Sequence, residues 1–537
     1  MKKSILFILA ICVFSINSLL AKTFYVAPNG SDQTGDGSIS LPFAGIVRAQ
    51  QAVSPGDTVY LRGGVYKMQE SQIHEYSSIF AYQHHINKSG SSVNKRIHYW
   101  AYPGERPIID MSDVKPANYR INVFQVSASY IHFKGLEIIG TQVTIKTHTQ
   151  SICFQNDRGN YNIYEQCVMR DGQAIGFYLI RGSYNLVLNC DAYNNYDYTS
   201  ETGRGGNVDG FGFHGKKGDV GNVIRGCRAW LNSDDGYDCI NSHEPVNFDN
   251  CWAFYNGYST GFVSRGDGNG FKIGGYGQAP NVANLPNPIP SNLVKHCLAY
   301  RNKANGFYAN HHVEQGNVWY HNSAYRNSVN FNMLSQYITK STKTGNDTTI
   351  DCPGIRHTLH NNLSLKYSTQ RDTLNLGTSD IRNNSFTPGS GITVSTADFV
   401  SLNESELMAP RQEDGSLPDI GFMKLKPQSQ LIDKGMDIGL PFQGSAPDLG
   451  AFEYVPPVAW SNPAVGEDVF FPNPAKQWLY FRNAPVQQVD IYDLQGQLML
   501  SEQNVNALNV EELVQGCFLL SLTQSNNQVF VHKLLKL

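Results

Sequence analysis

Five segments of the chain repeat one pattern of apolar and polar positions. They are Cys190-Asp-Ala-Tyr-Asn-Asn195, Cys227-Arg-Ala-Trp-Leu-Asn232, Cys251-Trp-Ala-Phe-Tyr-Asn256, Cys297-Leu-Ala-Tyr-Arg-Asn302 and Asn322-Ser-Ala-Tyr-Arg-Asn327. Each follows an alternating, strand-like run such as Asn222-Val-Ile-Arg-Gly226 or Asn317-Val-Trp-Tyr-His321. Where no insertion intervenes, the pattern returns every 23 to 25 residues. The longer step from Cys251 to Cys297 reads as one turn plus a long loop. Short strands at a fixed period, without helical spacing, predict an all-β parallel β-helix of about ten rungs. Crossovers between parallel strands make it right-handed. Side chains alternate between the two faces of a strand, so Cys, Ala and alternate apolar residues point inward. The recurring Asn predicts a ladder of stacked amides at one turn, each bonded to the next.

The ends of such a coil expose unpaired strand edges and need caps. Residues Phe43 to Val53 predict a short amphipathic helix over the N-terminal end, followed by a turn and strand from Pro55 to Gly64. Residues Pro447 to Glu453 read as the last ordered turn of this domain. The composition breaks at Val455-Pro-Pro-Val, and strand-like runs separated by Gly and Asn turns then predict a small C-terminal β-sandwich. At the other end, Met1-Lys-Lys, an apolar run to about Ile16 and Ser18-Leu-Leu-Ala21 predict a secretory signal peptide cleaved after Ala21. The expected organisation is 1–21 signal peptide, 22–455 β-helix, 456–467 linker and 468–537 sandwich. No other segment is apolar enough to span a membrane.

Composition changes this picture little. Abundant Gly, Tyr, Phe and Asn suit strands and turns. The formal net charge of -3 supplies no basic field, which argues against nucleic-acid binding. An acidic polymer must therefore be held by a few local cations. Export permits disulfides, but cysteines stacked at one rung position read more simply as small buried hydrophobes.

The candidate chemistry lies between Asn207 and Lys272. Asp234, Asp235 and Asp238 fall within five residues, Asp209 lies one rung earlier, and Lys272 follows one rung later in the glycine-rich run Gly266-Asp-Gly-Asn-Gly-Phe-Lys272. Any one aspartate is an ordinary turn residue. Packed together they repel, and an all-oxygen donor set suits Ca²⁺. A lysine beside that ion is expected to have its pKa lowered toward neutrality by partial burial and a positive field, making it a usable base. Arg204, His214, Arg265 and Asn310 are candidate substrate contacts. Three readings stay open on the residues alone. They are a lyase, a hydrolase using Asp234 and Asp235 as its carboxylate pair, and a glycan-binding solenoid without catalysis.

The runs Asn207-Val-Asp209-Gly-Phe, Asn232-Ser-Asp-Asp-Gly-Tyr-Asp238, Asn250-Cys-Trp-Ala-Phe-Tyr-Asn-Gly257, Gly266-Asp-Gly-Asn-Gly-Phe-Lys-Ile-Gly274 and Asn305-Gly-Phe-Tyr-Ala-Asn310 resemble polysaccharide lyase family 9. The resemblance implies a right-handed parallel β-helix, Ca²⁺ held by Asp209, Asp234, Asp235 and Asp238, and Lys272 as the Brønsted base. It implies β-elimination on polygalacturonate or a related pectic chain, such as the rhamnogalacturonan I backbone. The segment Ala309-Asn-His-His312 departs from the family pattern. Phe471-Pro-Asn-Pro, Ile491-Tyr-Asp-Leu-Gln-Gly496 and the Lys-Leu ending resemble the sorting domain of type IX secretion. That implies a secreted or cell-surface protein handled by that machinery, and a capped solenoid is expected to be a monomer.

Overall fold

The computed structural model describes residues 21–147, 150–200, 202–275, 286–310, 315–352, 356–367, 371–374, 376–456, 470–482, 486–493, 497–523 and 529–537. The expected signal peptide lies outside the described residues, apart from Ala21. The chain forms two compact units, Met1–Val455 and Pro456–Leu537. Among the described residues, no helix is long and apolar enough to cross a membrane.

The first unit is a right-handed parallel β-helix. Successive coils feed three sheets, of twelve, ten and eleven strands. Inward positions stack in register. In the first sheet the column runs Val59, Tyr99, Phe133, Tyr164, Val187, Ile224, Phe248, Val294, Trp319. In the second sheet it includes Ala192, Ala229, Ala253, Ala299 and Ala324. In the third it is aromatic: Phe177, Phe211, Tyr237, Phe271, Phe307, Phe331. Rings from the third sheet and bulky apolar residues from the first therefore face methyl groups from the second, which suits one narrow cross-section. Tyr237 and Phe271 stack with centroids 4.6 Å apart, and Phe307 and Phe331 at 4.9 Å, close to the spacing of paired strands.

The amide ladder is present: Asn195, Asn232, Asn256, Asn302 and Asn327 are linked side chain to side chain at 2.9–3.2 Å. Cys153, Cys167, Cys190, Cys227, Cys239, Cys251, Cys297 and Cys517 are free thiols. Cys167, Cys190, Cys227, Cys251 and Cys297 occupy one buried column. Cys190 N–H donates to Cys227 Sγ at 3.3 Å, and Cys251 N–H to Cys297 Sγ at 3.4 Å. The capping helix is Ile46–Ala52, shorter at both ends than its apolar pattern predicts.

Residues 447–453 are not a coil. Gly450 N–H donates to Asn361 O and Ala451 N–H to Ser323 Oγ, so the segment lies across coils already closed. It ends a strap that follows the last strands and covers the outer face of the second sheet. That face carries Trp230, Trp252, Phe254, Leu298, Tyr300 and Leu363, too apolar to leave in water. Phe399, Leu407, Phe422, Leu425 and Leu431 of the strap complete a second core with them. A buried ion cluster fastens it: Asp191 accepts from Arg228 at 2.7 and 2.9 Å and from Arg411 at 2.6 Å.

The second unit has a three-stranded and a four-stranded antiparallel sheet around Leu479, Val489, Ile491, Leu508 and Leu520.

Candidate active site

The third sheet places the candidate residues. Four triplets of Asp or Asn, Gly and an aromatic ring begin at Asp209, Asp235, Asn269 and Asn305. Stacked in register, they form a second ladder on this sheet. Asp235 N–H donates to Asp209 Oδ1 at 3.1 Å, Asn269 N–H to Asp235 Oδ1 at 2.7 Å, and Asn305 N–H to Asn269 Oδ1 at 3.3 Å. The glycines are required by close approach. A Cβ on Gly210, Gly236 or Gly270 would lie 2.7 Å from the next rung's glycine carbonyl. The rings turn inward. The residue after each ring turns outward, giving a register column of Gly212, Asp238, Lys272 and Tyr308.

Asp238 and Lys272 are thus neighbours on adjacent strands. Lys272 Nζ donates to Asp238 Oδ2 at 3.1 Å and lies 3.0 Å from Asp235 Oδ2. The second contact is an ion pair without hydrogen-bond alignment, and Asp235 Oδ2 accepts no hydrogen bond in this structure. Asp235 is wholly buried, its Oδ1 held by both the N–H and the Nδ2 of Asn269. One carboxylate oxygen from each of Asp209, Asp234 and Asp235 lies within 4.8 Å of the others. Asp234 Oδ1 accepts from Asp267 N–H at 2.8 Å. Asp238 joins this trio through Lys272.

Burial, then repulsion from Asp238, Asp234 and Asp235, raises the pKa of Asp209 well above the usual carboxylate range. Burial and Asp235 do the same to Asp234. Lys272 goes the other way from the sequence expectation. Burial lowers its pKa, but Asp235, Asp238, Asp234 and Asp209 together raise it well above that of a free lysine. The expected acidification assumed the field of a bound cation. The protein's own groups keep the amine protonated.

The remaining candidates have other surroundings. His214 Nδ1 is 3.0 Å from Tyr178 OH, and burial pushes its pKa down to about 4. Asn310 Nδ2 donates to Gly274 O at 2.9 Å, bracing the chain just past Lys272. Arg204 is exposed. Arg265 stacks on Tyr196, 3.6 Å from the ring centroid. The two histidines of the segment that departs from the family pattern, at 311 and 312, lie outside the described residues, as do residues 276–285 of the long loop.

Sequence reasoning missed three residues. Asn269 orients Asp235. Tyr308 sits beside Lys272 in register, its hydroxyl pushed up to about 12 by burial. Lys303 donates to the carbonyls of Arg265 and Gly266, pinning the loop that bonds Asp234. Aligning the four Asp/Asn-Gly-aromatic triplets would have marked Asn269 and Tyr308. Nothing in the sequence marks Lys303.

Three family models match the chain: "Pel9A-like, right handed beta helix region" over residues 24–361, "Rhamnogalacturonan lyase-like, C-terminal" over 375–455, and "Secretion system C-terminal sorting domain" over 469–536. Pectate lyase L of Dickeya chrysanthemi is 33% identical over 442 residues, covering 80% of this chain and 90% of that protein. Pectate lyase PEL9 of Emericella nidulans is 30% identical over 342 residues, covering 58% of this chain and 75% of its own. Among solved structures, a rhamnogalacturonan lyase superimposes with TM-score 0.70 at 44% identity, covering 76% of this chain and 97% of its own. Pectate lyase Pel9A superimposes with TM-score 0.63 at 30% identity, covering 80% and 96%.

Proposed function

The chain belongs to the Pel9A-like right-handed β-helix family and is a secreted or cell-surface polysaccharide lyase of pectic type, and from that premise we propose Ca²⁺-dependent β-elimination with Lys272 as the base. The observation that carries the reading is Lys272 Nζ at 3.0 and 3.1 Å from two carboxylates of a buried acidic cluster. The residues fit a divalent cation. The donors are all oxygen, four carboxylates face one ammonium, and Asp235 keeps an oxygen without a hydrogen bond. Asp209, Asp234, Asp235 and Asp238 are the residues that would hold it.

When bound, Ca²⁺ would polarise the substrate carboxylate, acidify the C5 proton and offset the acidic field at Lys272 so that the amine can lose its own proton. Neutral Lys272 then takes the C5 proton. The C–H electron pair becomes the C4–C5 double bond as the C4–O bond breaks, and the departing oxygen takes its proton from solvent. Asp238 orients the amine through its 3.1 Å bond, and Asn269 fixes Asp235.

Within the pectic class, the alternating rhamnogalacturonan backbone is proposed ahead of polygalacturonate. The 44% identity to a solved rhamnogalacturonan lyase and the match of residues 375–455 to the family model "Rhamnogalacturonan lyase-like, C-terminal" support this order. Export through the type IX machinery is proposed from the C-terminal sorting unit. The test is ultraviolet detection of the unsaturated uronate on a panel of pectic polymers, with Ca²⁺ or with EDTA. Lys272→Ala should abolish product while Ca²⁺ binding, read by calorimetry, persists. Full turnover by that variant, or full turnover in EDTA, would overturn the mechanism. Product from polygalacturonate alone would reverse the substrate order.

A further inference from the structure

A cavity of about 210 Å³ is lined by Gln142, Gln173, Asn194, Tyr196, Tyr198 and Arg265 among others. One residue separates Arg265 from Asp267, whose N–H is bonded to Asp234. The wall is firmly built. Gln173 is 3% exposed, and its Oε1 accepts from Tyr198 N–H at 3.2 Å and from Thr199 Oγ1 at 2.7 Å. Asp197 Oδ1 accepts from the N–H groups of Thr199 and Ser200, both at 2.8 Å. Tyr196 OH donates to Gly203 O at 2.6 Å. On this pinned loop Tyr198 still stands 61% exposed. Such exposure of a ring on a hydrogen-bonded loop suits a platform for a flat ligand face.

Arg265 supplies the charge. Its backbone N–H is bonded to Gly257 O at 2.8 Å, and its guanidinium lies on the Tyr196 ring, so its position is set before any ligand arrives. Among the described residues, no carboxylate lies within ion-pair distance of it. Asp171, the one carboxylate lining the cavity, is engaged instead by Arg170 and Asn194. A stacked guanidinium keeps its edge available for two parallel hydrogen bonds to a carboxylate.

We infer that this cavity is a subsite for one hexuronate of the pectic chain, with the sugar carboxylate on Arg265 and the ring face on Tyr198. It is distinct from the uronate at the metal and Lys272. The inference rests on the lyase reading for its ligand class. A neutral sugar would use Tyr198 and leave Arg265 unpaired, so the subsite selects an acidic unit.

The test uses the full chain carrying Lys272→Ala, which binds without cleaving. Calorimetry in Ca²⁺ measures galacturonate and rhamnogalacturonan oligosaccharides of increasing length. Affinity should rise in a step at the length that first reaches this cavity. Adding Arg265→Gln should remove that step, a loss of about tenfold or more, as for a hydrogen-bonded charge. Tyr198→Ala, at an exposed position, should shrink the same step by a smaller factor. Shorter ligands should bind both variants as they bind the Lys272→Ala parent. Equal weakening at every length would place Arg265 at the metal-bound sugar and overturn the proposal, as would no weakening at any length. Wild-type turnover judges the lyase reading separately. A length step without unsaturated product would keep the subsite and sink the mechanism.

Discussion

Replacing Asp209 by asparagine separates the structural work of the ladder from the work of its charge. The amide keeps Oδ1, so the 3.1 Å bond from Asp235 N–H survives. Asn269 and Asn305 show that a neutral amide fills this rung position. What disappears is one charge from a trio of carboxylates whose oxygens lie within 4.8 Å. At an effective dielectric of about 20, two such charges at that separation repel by about 3 kcal/mol. Burial and the neighbouring carboxylates raise the pKa of Asp209, so the ion-free site tolerates its charge poorly. The variant should therefore gain about 1–3 kcal/mol in EDTA, or about 1–3 °C in melting midpoint for a unit of this size. In Ca²⁺ the order reverses, because the variant has lost a charged ligand and gains less from the ion. Thermal melts of both proteins in EDTA and in Ca²⁺ read both effects. A variant less stable than wild type in EDTA by more than about 1 kcal/mol would mark Asp209 as a structural ladder residue whose charge is needed for folding. An undiminished Ca²⁺ shift would remove it from the metal site.

Three further outcomes follow from the scaffold. Burial pushes the His84 imidazole down to about 4, so the unfolded chain binds its proton first as pH falls below about 6.5. Stability should drop by about 3 kcal/mol between pH 6.5 and 4 on this account, and His84→Gln should flatten that part of a urea-denaturation series; an unchanged slope would reject it. Arg411→Met leaves Asp191 with one buried partner and should cost about 3 kcal/mol, with early proteolytic cuts between residues 400 and 455; an unchanged urea midpoint would show that the ion cluster does not fasten the strap. Since the stacked cysteines at 167, 190, 227, 251 and 297 are free, a reducing agent should leave the melting midpoint where it is, and a fall would reveal a disulfide.

The coil was legible because its repeat is dense. Each Cys-x-Ala-aromatic-x-Asn segment carries an inward thiol, an inward methyl and a turn amide, so one short pattern states register, core and turn together. The same segments hid the strap. Trp230, Phe254 and Tyr300 flank the inward Ala and face outward, and alternation alone says nothing about what covers them. Residues 447–453 pack against coils far earlier in the chain, a pairing that no local spacing encodes. At the site, the acidic residues and Lys272 were readable as a group, and the adjacent pairing of Asp238 with Lys272 matches one-rung spacing. Arg265 was readable only as a nearby cation. Its partner Tyr196 comes from a different loop, brought there by stacking.

The charge of Lys272 ties the site together. The carboxylates that suit a divalent cation are the same groups that hold the amine protonated, and a protonated amine cannot remove a proton from C5. Base and acidic cluster therefore conflict unless a positive charge enters between them. The ladder sharpens the point. At 269 and 305 the chain uses asparagine where only hydrogen bonding is needed, while at 209 and 235 it keeps aspartate in positions where burial and mutual repulsion oppose the charge. Two unfavourable choices in one column, beside a lysine held protonated, are what the proposed Ca²⁺ would account for together.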